Sequence, residues 1–155
     1  MALRSMLEYS RQPLHRGAAM ETREAAVADD QDLPVLDSRV LLSLADEANP
    51  GVAQAFFDDY LQMLPVRAAT ILRGLASEDQ ADAIEGLVSL RVSSAMAGAL
   101  RLEGYCRKLE HALKHGHRPD PAAVKAVLFA NIRLLVREAR RQGHLPSQRP
   151  DSPES

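Results

Sequence analysis

An all-α fold follows from three features of this sequence. Apolar residues recur at steps of three and four, helix caps and prolines punctuate those runs, and no stretch keeps a period of two between hairpin turns. The simplest packing for such helices is an antiparallel up-down four-helix bundle with a short additional N-terminal helix. With 155 residues, 46% of them apolar and 26% charged, the chain has the composition of one ordinary domain and is too short for two. Its 19 basic and 21 acidic side chains leave a net charge of −2, so no global positive field draws it to nucleic acid or to anionic lipid. The single cysteine, Cys106, excludes a disulfide framework and an all-cysteine metal site, and suits a reduced, cytoplasmic setting.

The first helix is predicted from Asp37, whose side chain is a good N-cap, through Val40, Leu41, Leu44 and Ala48 to a stop at Asn49-Pro50. Asn49 or Pro50 opens the second. It carries Val52, Phe56, Phe57, Tyr60, Leu64, Ile71, Leu72 and Leu75, with Pro65 in its middle predicting a kink or short break. Ser77-Glu78-Asp79-Gln80 has the form of a capping box, which places the start of the third helix at Ser77. That helix draws a narrow stripe of Ala83, Leu87, Leu90, Ser94 and Ala97. The fourth, after Gly98, carries Leu102, Tyr105, Leu109 and Leu113 and ends near Gly116. Asp120-Pro121 opens the fifth, an N-cap with proline at the first helical position, and Val124, Leu128, Ile132, Leu135 and Ala139 line one side of it. Arg137, Arg140 and Arg141 then complement the negative end of its dipole.

Three segments follow: a mobile N-terminal arm over 1–33, a helical body over 34–143 and a disordered tail over 144–155. The arm has a polar or charged residue every few positions and lacks the continuous apolar run of an export signal. No run approaches the roughly 20 apolar residues that span a bilayer, so no membrane partner is expected.

Bundles host many unrelated functions, and the third helix supplies the narrower reading. Leu87-Val88-Ser89-Leu90-Arg91-Val92-Ser93-Ser94-Ala95-Met96-Ala97-Gly98-Ala99 resembles the signature of histidine-containing phosphotransfer (Hpt) domains, A-H-S-L-K-G-S-S-A-x-x-G-A. Leu36-Asp37 at a short first helix, Phe56-Phe57-Asp58-Asp59-Tyr60 ahead of Pro65, the run from Leu72 to Leu75, and Cys106-Arg107-Lys108-Leu109-Glu110 in the fourth helix also fit that layout. The resemblance covers about residues 35 to 142. It implies a module of a two-component phosphorelay.

The departures decide what such a module can do. The phosphorylated histidine of the family is replaced by Val88, which carries no nucleophile. The lysine that helps hold the phosphoryl charge is Arg91, and the glycine after it, which lets a receiver domain approach the helix backbone, is Val92. Val88 and Val92 are i, i+4 neighbours on a side away from the Leu87/Leu90 stripe and are expected to face solvent together. The resemblance then implies a non-enzymatic module that binds a response-regulator receiver domain, or a histidine kinase, without accepting phosphate. Its contact residues would be Glu85, Val88, Arg91, Val92 and Ala95, with no cofactor and no metal. Scattered surface valines are common, so the pair gains meaning only from its position.

Two alternatives belong to other classes. In one, an active phosphotransfer protein uses His111, whose surroundings His111-Ala112-Leu113-Lys114 copy part of the motif. Against it, His115 stands where glycine is needed and the helix is about to end at Gly116. In the other, the valine face pairs two copies as a homodimer. His111 and His115 also share i, i+4 spacing that can seat two imidazoles on a metal, but no third ligand stands at an obvious spacing. Cys106 beside the Tyr105/Leu109 stripe reads as a small buried or half-buried thiol rather than a reactive one.

Overall fold

The computed structural model describes residues 30–77 and 79–146, which hold five α-helices and no strand. Residues 1–29 of the predicted 1–33 arm and 147–155 of the predicted 144–155 tail lie outside the described residues. The helices are α1 (Ser38–Glu47), α2 (Pro50–Ala76), α3 (Gln80–Ala97), α4 (Leu100–Lys114) and α5 (Pro121–Arg141). No helix among the described residues is long and apolar enough to cross a membrane.

Caps fix most of these boundaries. The side chains of Asp37, Asn49 and Asp120 accept from Arg39 N, Val52 N and Ala123 N, which satisfies an otherwise orphaned amide at the start of α1, α2 and α5. The expected capping box is corrected by two residues. Ser77 closes α2, its N–H donating to the Arg73 carbonyl and its Oγ to that of Gly74, both at 3.1 Å. Asp79 caps α3 instead, accepting from Ala81 N at 3.1 Å. Pro65 does not interrupt α2, which runs unbroken for 27 residues. The ring faces outward, so burial of the neighbouring turns holds the helix together across the missing amide.

The core is built by the stripes. All five residues expected on α3 are buried, as are all five on α5. On α4 the stripe is shifted: Leu102, Cys106, Leu109, Glu110 and Leu113 are buried, while Tyr105 is only half-buried. On α2 the core side is Ala53, Phe57, Tyr60, Leu64, Ala68, Ile71, Gly74 and Leu75, and Val52 stands 49% exposed. Helix α3 packs between α2 and α4, α5 closes against α2 and more lightly against α4, and α1 lies on α2 with a lighter contact to α3.

The α2/α3 seam is tight because small residues line it. A Cβ on Gly74 would come within 2.6 Å of Ala83 N, and one on Gly86 within 2.9 Å of Ile71 Cγ1. Further along the seam, the hydroxyls of Tyr60 and Ser94 share a buried 2.7 Å hydrogen bond. Burial pushes the Tyr60 hydroxyl well above its ordinary range, against the lowering effect of the Ser94 bond, so it stays protonated. Tyr60→Phe is expected to destabilise by about 1–2 kcal/mol, because it strands a buried Ser94 hydroxyl. Urea denaturation of the variant, with Tyr60→Phe/Ser94→Ala regaining most of the loss, checks this.

Residues flanking the helices at both ends also make contacts with them. Asp30 is 5% exposed and accepts from Lys108 Nζ at 2.7 Å, and Arg101 Nε donates to the Leu33 carbonyl at 2.9 Å, so residues 30–33 lie along α4. At the other end the His144 ring packs 5.7 Å from that of Phe57, with its Nε2 2.8 Å from Ser38 Oγ.

Candidate functional site

The α3 residues singled out by sequence occupy one side of the helix but not one environment. Glu85 is exposed, Val92 is 46% exposed, and Val88, Arg91 and Ala95 are half-buried. Val88 therefore differs from expectation. At about 100° per residue it lies about 40° round the helix from Val92, on the flank that carries Arg91 and turns toward α4. The outermost line is Asp82, Glu85, Val92 and Met96, and Met96 is 51% exposed. The i+4 step from Val92 to Met96 is the signal by which the sequence marks that addition.

Both polar neighbours of Val88 are engaged. The guanidinium of Arg67 on α2 donates to Ser89 Oγ, so the hydroxyl's hydrogen-bond partner is a cation and not a base that could activate it as a nucleophile. On the other flank, Arg91 Nε donates to Glu110 Oε1 at 2.8 Å, and Lys114 Nζ donates to Glu110 Oε2 at 2.6 Å. Glu110 is 8% exposed. Its burial raises the carboxyl, but the hydrogen bonds from Lys114 and Arg91 outweigh that and leave its pKa below the ordinary value. Arg91 thus holds α3 to α4 through a buried carboxylate, and Lys114 is the more exposed cation of the group.

Glu110 was not legible as a partner of Arg91. The two are 19 residues apart on different helices, and only the relative rotation of α3 and α4 joins them.

The remaining chemistry-bearing groups stand apart from α3's outer side. The Cys106 thiol is fully buried and pushed upward, first by burial, with Glu103 adding and Arg91 opposing, which makes it a poor nucleophile. The His111 and His115 rings lie 4.1 Å apart on exposed positions at the end of α4, with His115 Nδ1 2.8 Å from the His111 carbonyl. Among the described residues no group of three or more His, Cys, Asp or Glu side chains is arranged to hold a metal ion. What the outer side of α3 offers is an apolar strip, Val92 and Met96, beside the acid Glu85. No family model matches the chain, and no curated protein or solved structure matches it.

Proposed function

We propose that the chain is a degenerate Hpt-like signalling module, which docks a receiver domain or its cognate histidine kinase through α3 and accepts no phosphate. In this reading α2 to α5 form an up-down antiparallel bundle with α1 across one end. The opposite order of the contacts Tyr60 to Ser94, Arg67 to Ser89, Ile71 to Gly86 and Gly74 to Ala83 supports that arrangement for the central pair. The observation that carries the functional reading is Val88 at the family's histidine position, beside a retained apolar surface at Val92 and Met96. Removing the nucleophile while keeping dry contact area preserves binding without transfer. Arg91 keeps the positive charge of the family's lysine but shares it with Glu110, so Lys114 supplies the freer charge for steering.

The test mixes the purified chain with phosphorylated, labelled receiver domains from its own genome and follows both label and complex. Label staying on a bound receiver is the expected result. Val92→Asp is expected to weaken that complex at least about tenfold with helicity unchanged, since it puts a charge into the dry centre of the contact. Val88→Asp does the same if it keeps its fold. Absence of binding, or binding indifferent to Val92→Asp, overturns the reading. Acid-labile label on this chain that is lost in His111→Ala would establish the alternative acceptor.

A further inference from the structure

The groove between α2 and α3 has two charged banks that do not pair with each other. Two adjoining cavities, of about 480 and 470 Å3, run along it and share Thr70 and Asp82. Arg67 and Arg73 stand on the α2 bank, and Asp82 and Glu85 on the α3 bank. Among the described residues no ion pair joins either arginine to either acid. Among the described residues the Arg67 side chain hydrogen-bonds only the Ser89 hydroxyl and leaves its buried Nε without a hydrogen-bond partner, while that of Arg73 reaches only Thr70 Oγ1, at 3.4 Å. At one end the groove opens onto apolar side chains, Met63 at 39% and Val66 at 55% exposed, with Val92 and Met96 continuing the line of Glu85 on α3.

This pattern is self-complementary. Gly74 lies against Ala83 and Arg67 against Ser89, so Arg73 and Asp82 stand at about the same height along the groove. A two-fold axis running along the groove places α2 of each copy over α3 of the other. Arg73 then meets the second copy's Asp82, Arg67 lies toward the second copy's Glu85, and Met63 and Val66 cover the second copy's Val92. An axis across the groove would instead bring arginine onto arginine. Isologous contacts demand such a match of a surface with itself, and opposed charges fix their register.

We infer that this groove is the face through which two copies of the chain pair as a homodimer, with the α2 arginines of each copy on the α3 acids of the other. The pairing does not depend on the proposed receiver docking. One consequence does rest on that reading: Glu85 and Val92 belong to both surfaces, so self-pairing and docking exclude each other.

Sedimentation equilibrium of the full chain alone, over a concentration series, tests the pairing without any partner. A dimer is expected, loosened by added salt. Arg73→Glu and Asp82→Arg are each expected to raise its dissociation constant at least about tenfold, and the double variant to return within about threefold of wild type, because the swap restores opposite charges. Circular dichroism checks that each variant keeps its helices. If a reversal unfolds the chain, Arg73→Gln and Asp82→Asn, singly and together, replace it, with additive losses counting against the pairing. A chain that is monomeric at every concentration overturns the inference. So does a dimer indifferent to both single reversals, or one that the double variant fails to regain. Failure of receiver domains to bind the dissociated Arg73→Glu chain, whose docking residues are intact, would sink the docking reading alone.

Discussion

Gly98→Ala is expected to cost roughly 2–4 kcal/mol of folding stability, one of the two largest effects of a single small change in this chain. Gly98 ends α3 with φ +81°, in the left-handed region where a side chain is penalised. Space is the second obstacle, since an added Cβ would lie 2.5 Å from the Asp37 carbonyl oxygen and 3.1 Å from the Val40 Cβ. Neither neighbour can yield cheaply. Asp37 N donates to the Gly98 carbonyl at 2.8 Å, and Leu100 N donates to the same oxygen at 2.9 Å, so one residue ties the end of α3 to the starts of α1 and α4. Gly116 is the control. Its φ is +82° but nothing lies within 4 Å of an added Cβ, so Gly116→Ala should lose only about 1 kcal/mol, the conformational part. Urea denaturation followed by circular dichroism compares the two directly. Equal losses in the two variants would mean that the contact with α1 contributes nothing.

The helical body was legible where one physical rule acted alone. On α3 and α5 the apolar period decides burial without competition, and the expected stripes are the buried ones. The start of α3 was misplaced because Ser77 and Asp79 are both good caps, and sequence does not reveal that Ser77 is already used to end α2. Of the kink or short break expected at Pro65, the break does not form: the local cost is real, yet burial of Leu64 and Ala68 on either side carries α2 through it. The environment of the proposed contact residues was legible only in part. Spacing puts Val88 and Val92 on one side of a helix, but the depth of each depends on where α4 lies, and that is a tertiary fact. The polar ties from Arg67 to Ser89, from Tyr60 to Ser94 and from Arg91 to Glu110 all cross between helices, where no periodicity within one helix can point to them.

Arg91 makes the strongest of those ties testable, through a pair of variants with unequal consequences. Glu110 is 8% exposed in the native chain, and Arg91→Leu, which leaves its buried carboxylate with Lys114 as the remaining partner, is expected to cost about 1–3 kcal/mol. Arg91→Leu/Glu110→Leu removes the buried charge as well and should recover most of that loss, because two apolar side chains replace an ion pair that had to be desolvated. Acid adds an independent check. Glu110 has a folded pKa below its ordinary 4.5, so the folded state binds its proton less readily than the unfolded chain does. Its contribution is therefore complete well above pH 4.5 and is lost as the pH falls through the lower folded value. Glu110→Gln should be less stable than wild type at neutral pH, with the gap closing in acid as wild type loses this contribution. A gap that stays constant from neutral pH into acid would show that the carboxylate is not what binds α3 to α4. Because Arg91 holds Glu110 from the same turn of α3 that presents Val92, loosening this tie should also weaken the proposed receiver binding. Arg91→Leu should thus reduce affinity while the double variant recovers it, whereas a direct electrostatic role for Arg91 at the partner would leave the double variant as weak as the single one.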